Sequence, residues 1–270
     1  MSRFSPPPQV EDQVHSPQTS PRSSRVVLVT SEAGRDEGGD EMKDNRAPRA
    51  VRRIRPGTLA ADMVPPPSCP ISDLDSAFQL QEHLASLLAE QEKPMSKAAC
   101  DALANPPEGV DGSLWTYEWI RRLAMELNLL IVELMEAHCT CPVMKAKDME
   151  YLCAVHSDAP QECSAIDYSV HTLDHAVGIL TSNKYFASRI SIPPASMKHF
   201  SPLLRRLYRI LAHAWYEHQD VFWKVEQETS LYKKFMSVAD RFNLLPGDVI
   251  IMPPEANEDP RDGDEDPFKR

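Results

Sequence analysis

Apolar residues recur at three- and four-residue steps from about residue 52 to residue 254, and this spacing is typical of amphipathic helices. The longest such segment runs from about Leu114 to Glu136 and carries a wide apolar stripe, so we expect it to be the central helix. The other predicted helices open at Ser72, cover Ser169–Ser182, extend from Ser196 as far as Gln227, and cover Leu231–Phe242. The pattern therefore predicts an all-α fold, a single-domain helical bundle.

Polar positions indicate where some of these elements begin. Ser72 to Asp75 resembles a capping box, in which two side chains satisfy free backbone N–H groups at a helix start. Asp111 and Ser113 are alternative caps for the central helix. The short apolar run Val249–Met252 is predicted to lie as an extended strand over the core.

The two ends of the chain differ from the middle in composition. Residues 1–51 are rich in Ser, Pro and Arg and nearly free of aromatic residues, so they cannot bury enough apolar area to offset the entropy of ordering. We therefore predict a disordered N-terminal region over residues 1–51, a helical domain over residues 52–254, and an acidic disordered tail over residues 255–270.

Charge and hydropathy argue against two classes of partner. A net charge of -11 disfavours non-specific binding of nucleic acid. No apolar run approaches the roughly 18 residues that a membrane span requires, and the N-terminus lacks the apolar segment of a signal peptide. We expect a cytoplasmic protein, associated with membranes peripherally at most, whose thiols are reduced and available to a metal.

Two cysteines and two histidines form a candidate metal site. Cys139 and Cys141 follow the central helix, and His213 and His218 lie in a later helix. Thiolate and imidazole are the ligands of closed tetrahedral Zn²⁺ sites, which are structural. The spacing is imperfect, because C-x-C is tighter than the usual separation and positions five apart lie roughly 140° apart around a helix. Flexible side chains or a local distortion would therefore be needed.

Three alternatives to this ligand set stay open. His138 is a rival for the first ligand position. Cys153, His156 and Cys163 form a rival set, which we rank lower because Leu152–Val155 resembles a core-packing segment. Without a metal, the thiols act as small buried apolar groups and the histidines lie on a polar helix face.

No catalytic motif is evident in the sequence. It contains no H-E-x-x-H, no Gly-rich phosphate loop and no G-x-S-x-G. His171 and Asp174 lie one helical turn apart, and we interpret them as a hydrogen-bonded pair within a helix rather than as an acid and a base. We expect the protein not to be an enzyme. A zinc-dependent hydrolase is a remote alternative.

Three arginines form a candidate binding surface on the helix that precedes the two histidines. Arg205 and Arg209 share one stripe of that helix, and Arg206 flanks it. Guanidinium groups are planar, permanently charged donors that suit phosphate oxygens. The alternative is a solvated basic face that pairs with Glu126 or Glu136.

Several short motifs follow one another along the helical region. They are Arg55-Pro56-Gly57-Thr58, Pro106-Pro107-Glu108-Gly109, Leu152-Cys153-Ala154, Ala165-Ile166-Asp167-Tyr168, His171-Thr172-Leu173-Asp174 and Ser182-Asn183-Lys184-Tyr185-Phe186. In this order they resemble the Mob/phocein family and are closest to its phocein branch. The likeness covers roughly Arg52 to Pro254.

This resemblance implies a helical bundle with a structural Zn²⁺ held by Cys139, Cys141, His213 and His218. The first of these departs from the family pattern, since members separate the two cysteines by about four residues; a different alignment puts His138 in its place. The resemblance also implies that Arg205, Arg206 and Arg209 form a phosphopeptide-binding pocket, because they match the residues of such a pocket in the family.

By the same resemblance we expect a non-enzymatic adaptor in signalling. Its partners would be Ste20-like or nuclear Dbf2-related protein kinases, or a striatin-type scaffold that carries phosphatase 2A. The alternative within this class is a coactivator that stimulates a nuclear Dbf2-related kinase directly.

Overall fold

The structure is a computed structural model that describes residues 70–156 and 159–258. The predicted N-terminal region, the start of the predicted domain and the chain from residue 259 onward lie outside the described residues. The elements of the described part are α1 (Gln79–Ala89), α2 (Lys97–Ala104), α3 (Gly112–Glu136), β1 (Lys145–Ala146), β2 (Met149–Glu150), α4 (Ala165–Leu180), α5 (Pro194–Met197), α6 (Phe200–Glu217), α7 (Gln219–Thr229) and α8 (Leu231–Arg241). Short 3₁₀ turns cover Ile71–Asp73, Gly247–Val249 and Pro254–Asn257. The predicted helical fold is confirmed, and the hairpin is an addition.

Helix α3 is central, as predicted. Its N-terminus is capped by Asp111, whose carboxylate accepts the backbone N–H groups of Ser113 at 2.8 Å and Leu114 at 3.2 Å. Its apolar stripe, which includes Trp115 and Trp119, is fully buried. The helix packs against α1, α4, α6, α7 and α8. Every other long element therefore uses α3 as its packing surface.

The predicted capping box at Ser72 is wrong. Residues Ile71–Asp73 form a 3₁₀ turn, and the first α-helix begins only at Gln79. The Ser72 hydroxyl donates to the neighbouring Asp73 carboxylate at 3.0 Å and caps nothing. Ser76 instead accepts the backbone N–H of Phe78 at 3.1 Å. The hydrogen bond from the Phe78 N–H to the Ser76 side chain competes with helix formation, which explains why the helix begins later than predicted.

Two helix starts differ from the sequence prediction because serine caps were not recognised. Helix α2 was not predicted; it begins after Ser96, whose hydroxyl accepts the N–H of Ala99 at 3.1 Å. Helix α4 begins at Ala165, earlier than the predicted Ser169, because Ser164 accepts the N–H of Asp167 at 3.1 Å. With only eight residues, α2 is too short for a clear helical period.

The long helix predicted from Ser196 to Gln227 is in fact divided among three helices, because Ser196 belongs to the short α5 and most of the rest to α6 and α7. Helix α6 ends at Glu217 and α7 begins at Gln219. The residue between them, His218, has φ -144° and ψ 57°, which lies outside the helical region. The prediction of a continuous helix is therefore wrong, and the break falls at a candidate metal ligand.

The predicted strand over Val249–Met252 has no strand partner among residues 70–156 and 159–258. Side-chain hydroxyls hold it instead. Tyr208 accepts the N–H groups of Ile251 at 3.0 Å and Met252 at 2.9 Å, and Tyr216 donates to the Ile251 carbonyl at 2.7 Å. The prediction was an extended strand over the core; in the structure, two tyrosines of α6 hold the backbone of this segment in place of a strand partner.

A charged cluster is buried where α3 meets α8. The Lys234 ammonium contacts the Glu126 carboxylate, and Arg122 donates to the same carboxylate at 2.6 Å. The Lys234 side chain is 2% exposed. Breaking a buried pair leaves one charge without compensation in a region of low dielectric. Glu126, an alternative partner for the three arginines of the candidate binding surface, is therefore already paired with Lys234 and Arg122.

We expect Lys234→Ala to lower the free energy of unfolding by about 3 kcal/mol, because Glu126 would then be left in the core with Arg122 alone. Urea denaturation followed by circular dichroism measures this change. The matched control is Lys224→Ala, which removes a pair with Glu133 in which the lysine side chain is 52% exposed. It should cost less than about 1 kcal/mol. Equal costs would contradict a stabilising role for the buried cluster.

Candidate metal centre

The structure brings all four predicted ligands together. One donor atom from each of Cys139, Cys141, His213 and His218 lies within 4.8 Å of the others. The distance from Cys139 Sγ to His213 Nε2 is 3.6 Å, and that from Cys141 Sγ to His218 Nε2 is 3.5 Å. A tetrahedral zinc with ordinary Zn–S and Zn–N bond lengths separates a sulfur from a nitrogen by about 3.5 Å. The donor set and its spacing therefore fit a zinc ion.

The end of α3 explains why Cys139, and not His138, joins the cluster. The N–H of His138 bonds to the Met135 carbonyl at 3.1 Å, and the N–H of Cys139 bonds to the Leu134 carbonyl at 3.0 Å. These two bonds form a Schellman motif, in which His138 takes the left-handed conformation with φ 55°. His138 is exposed and lies outside the cluster, whereas the turn directs the chain so that Cys139 faces α6.

The break after α6 overcomes the poor helical spacing of the two histidines. In a continuous helix their side chains would diverge by roughly 140°. Because His218 leaves the helical conformation, its imidazole turns back toward His213, and the two ring centroids lie 5.3 Å apart. This is the local distortion that the spacing required.

The hairpin formed by β1 and β2 orients the buried histidine. His213 is fully buried, and its Nδ1 lies 2.7 Å from the backbone carbonyl of Lys145 in β1. A carbonyl only accepts hydrogen bonds, so Nδ1 carries the proton and Nε2 is left to face Cys139. Burial lowers the pKa of His213, which favours the neutral form that metal binding requires. The hairpin was not predicted, because strands of two residues leave no alternating pattern.

The thiols of this cluster are suited to a cation. Burial is the largest cause that raises the pKa of Cys139, to about 11, so without a cation its thiol stays protonated at neutral pH. A zinc ion coordinates the thiolate, and binding would release the proton. Two thiolates and two neutral imidazoles balance the charge of Zn²⁺, which suits a partly buried position.

A second group of thiols and imidazoles lies elsewhere in the domain. Cys153, His156 and Cys163, which the sequence indicated as a rival set, come together with His171, again within 4.8 Å. The interpretation of Leu152–Val155 as a core segment is wrong, because only Cys153 of these residues is buried. The rival set is therefore a separate cluster and shares no residue with the first.

The predicted basic surface lies on the N-terminal half of α6. Arg205 is exposed, while Arg206 and Arg209 are half-buried. The Arg209 guanidinium donates to the Tyr168 hydroxyl at 2.8 Å and lies 4.6 Å from the centre of the Tyr151 ring. The contacts of these two tyrosines with Arg209 were not predicted, because nothing in their sequence spacing relates them to α6.

The alternative of a basic face paired with acidic neighbours has no support in the described part of the chain. Over residues 70–156 and 159–258, none of Arg205, Arg206 and Arg209 forms a salt bridge. Glu126 is occupied by Arg122 and Lys234. A basic face paired with acidic side chains is therefore not observed within the described residues.

Comparison with known proteins identifies the family. The sequence model of the Mob1/phocein family matches residues 92–252. This chain belongs to the Mob1/phocein family. It is 36% identical to the MOB kinase activator-like 4 protein of Drosophila melanogaster over 217 residues, which cover 79% of this chain and 95% of the fly protein. It is 37% identical to the MOB-like protein phocein of Caenorhabditis elegans over 209 residues, which cover 76% of this chain and 91% of the worm protein.

The match confirms the resemblance that the motifs indicated. Membership of the Mob1/phocein family supports a regulatory role as a kinase activator or adaptor. Among the helices in the described part of this family member, none has the length and apolar character that crossing a membrane requires.

We expect Cys139→Ser to reduce the bound zinc by one equivalent per chain, because it removes a thiolate from a closed site. When the free metal concentration is about a thousandfold above the dissociation constant, metal binding stabilises the folded state by about 4 kcal/mol. Loss of the metal should therefore lower the melting temperature by roughly 10 °C. Elemental analysis and thermal unfolding measure the two effects.

The control for this substitution is His138→Asn, which keeps a residue that tolerates the left-handed conformation. It should leave both the zinc content and the melting temperature unchanged. If His138→Asn releases zinc and Cys139→Ser does not, the assignment of the first ligand is incorrect.

Proposed function

We propose that this Mob1/phocein protein is a non-enzymatic adaptor that binds phosphorylated peptides through Arg205, Arg206 and Arg209. The observation that carries the proposal is that these three guanidinium groups lie within two turns of α6 with no carboxylate partner in the described part of the chain. Clusters of arginine are a general means of recognising phosphorylated motifs.

The three arginines differ in how firmly they are held. Arg209 is positioned by the Tyr168 hydroxyl and the Tyr151 ring, so little conformational freedom remains to be lost on binding. Arg205 is exposed on the same stripe and also lies close enough to Tyr151 to lower the pKa of that phenol, although burial has the larger, opposite effect. These two arginines are placed to form bidentate contacts with one phosphate group.

Arg206 lies on the side of α6 that faces α4. It helps to lower the pKa of His175, after the larger effect of burial. The neutral form of His175 is thereby favoured, so this histidine adds no competing charge beside the arginine. We propose that Arg206 contributes at the edge of the pocket, and less strongly than the other two arginines.

A structural zinc ion at Cys139, Cys141, His213 and His218 supports this surface. It would cross-link the end of α3 to the C-terminal part of α6, one helical turn beyond Arg209. Four protein donors fill a tetrahedral site, whereas a hydrolytic zinc needs a free position for water. The donor count therefore favours a clamp over the remote alternative of a zinc-dependent hydrolase.

The partners that we propose are protein kinases of the Ste20-like or nuclear Dbf2-related kinds and a striatin-type scaffold that carries phosphatase 2A, all in the cytoplasm. Phosphorylated segments of such proteins would supply the ligand for the arginines. A second candidate function is direct activation of a nuclear Dbf2-related kinase. It is favoured by the name of the fly relative, a MOB kinase activator-like protein.

We expect Arg205→Ala and Arg209→Ala each to weaken binding of a phosphothreonine peptide by roughly 10- to 100-fold, since a hydrogen bond to a charged group contributes about 1.5–3 kcal/mol. Fluorescence polarisation with a peptide selected from a phosphothreonine library measures the dissociation constant. The unphosphorylated peptide should bind too weakly to detect.

The control is Arg241→Ala, which removes an exposed arginine of α8 that contacts Asn105 and lies apart from the proposed pocket. Its affinity for the peptide should equal that of the unchanged protein. Full binding by an Arg205→Ala, Arg209→Ala double variant that retains its helical circular dichroism would rule out this pocket.

A kinase assay separates adaptor from coactivator. If the protein activates directly, adding it to a purified nuclear Dbf2-related kinase raises the rate of substrate phosphorylation with no scaffold present. An adaptor leaves that rate unchanged and increases only the amount of kinase recovered with the scaffold.

A further inference from the structure

The second thiol and imidazole cluster has the composition and the dimensions of a metal site. Cys153 Sγ and Cys163 Sγ each lie 3.8 Å from His171 Nδ1, and His156 Nε2 lies 3.0 Å from Cys163 Sγ. Sulfur and nitrogen ligands of one tetrahedral zinc are separated by about 3.5 Å. All four donor atoms lie within 4.8 Å of one another, and the three sulfur–nitrogen distances fall within about 0.5 Å of this zinc spacing.

The backbone brings these donors together from one continuous segment and one helix. Cys153 and Gln161 form a pair of backbone hydrogen bonds of 2.7 and 3.1 Å, which closes the loop between them. His156 belongs to that loop, and Cys163 follows the closing pair by two residues. His171 reaches the cluster from α4. The Cys153 and Cys163 thiols, at the two ends of this segment, therefore both reach His171 on α4.

The chemistry of the cluster is difficult to explain without a cation. Both cysteines are free thiols, and Cys153 is completely buried. The rings of His156 and His171 meet edge to face with centroids 5.1 Å apart. His171 is directed at the thiols rather than at Asp174, so the predicted hydrogen bond within α4 does not explain its position. Weak S–H donors are poor partners for imidazole nitrogen, whereas thiolates and neutral imidazoles together are strong zinc ligands.

We propose that Cys153, His156, Cys163 and His171 bind a second zinc ion, independent of the one at Cys139, Cys141, His213 and His218. The site is a closed, structural one, because four protein donors complete a tetrahedron. It fixes the loop after β2 to the first half of α4. This proposal goes beyond the adaptor function and does not depend on the arginine surface.

The second site has one consequence that does rest on the proposed function. Tyr151 precedes Cys153 by two residues, and Tyr168 precedes His171 by one turn of α4. These are the two tyrosines that position Arg209. A zinc ion that holds the loop against α4 therefore also holds the aromatic support of the basic surface.

Zinc stoichiometry tests the proposal directly. The full chain is purified without a metal-binding tag, supplied with Zn²⁺, passed over a desalting column and analysed for metal and protein. We expect two zinc ions per chain. Cys163→Ser and His213→Ala should each retain one, and the double variant none. Cys100→Ala is the matched control, because Cys100 is a buried free thiol outside both clusters, and it should retain both ions.

X-ray absorption identifies the atoms bound to zinc in the unchanged protein, so it tests the proposal even if a variant fails to fold. Two Cys₂His₂ sites give an average zinc shell of two sulfur and two nitrogen neighbours at a stoichiometry of two. If the unchanged protein binds only one zinc per chain, and Cys163→Ser still binds that one, the proposal is overturned. A Cys153–Cys163 disulfide, found by mass spectrometry of the freshly purified protein, would also overturn it. Peptide binding by the unchanged protein is measured in a separate assay, so failure of the adaptor proposal is distinguished from either of these results.

Discussion

The imidazole of His213 makes the contacts on which the arrangement of this domain depends. It is completely buried, so both ring nitrogens need polar partners. One nitrogen bonds to the Lys145 carbonyl of the hairpin, and the other faces the Cys139 thiol beyond α3. A single side chain of α6 thereby contacts two nearby positions of the segment after α3, which lie 74 and 68 residues earlier in the sequence. Its neutral form, favoured by burial, is also the form that a metal ligand must have.

Helix α6 links the candidate metal centre to the basic surface. His213 lies one turn after Arg209, so whatever fixes the C-terminal half of the helix also fixes the direction in which the arginines project. The other support of Arg209 comes from Tyr151 and Tyr168, which belong to the loop after β2 and to α4. The two thiol and imidazole clusters therefore lie on the two sets of elements that meet at the arginines. In the function that we propose, metal ions at these clusters would fix those elements without taking part in chemistry.

The long amphipathic segments were predicted well, and the short elements were not. Helix α3 and its Asp111 cap follow from an apolar stripe that extends over many turns. Helix α2 and the hairpin were missed because eight residues, or two strands of two, carry too little periodicity. The break at His218 was also missed, since the apolar pattern of α6 continues into α7 and nothing in the pattern marks the change of backbone conformation.

For the candidate sites too, some features were predicted from the sequence and others were not. The identity of the first four donors and the three arginines came from residue type, approximate spacing and motifs that resemble a family. Cys153, His156 and Cys163 were ranked lower as a rival set because three apolar residues beside a cysteine resemble a core segment, although Leu152 and Val155 are exposed. His171 was paired with Asp174 because they are close in sequence. The structure pairs it instead with thiols brought near by loop closure.

The sequence by itself determined the helical class, the central helix and the residue types able to bind a metal or a phosphate, because these depend on composition and local period. It also determined the family, because short motifs in a fixed order carry that resemblance. Only the tertiary structure decided which donors meet. It placed Cys139 rather than His138 in the first cluster through a left-handed turn, turned His218 inward through a helix break, and assembled a second cluster from a closed loop and α4. Each of these depends on backbone conformation at a single position or on packing between distant segments, which local patterns do not encode.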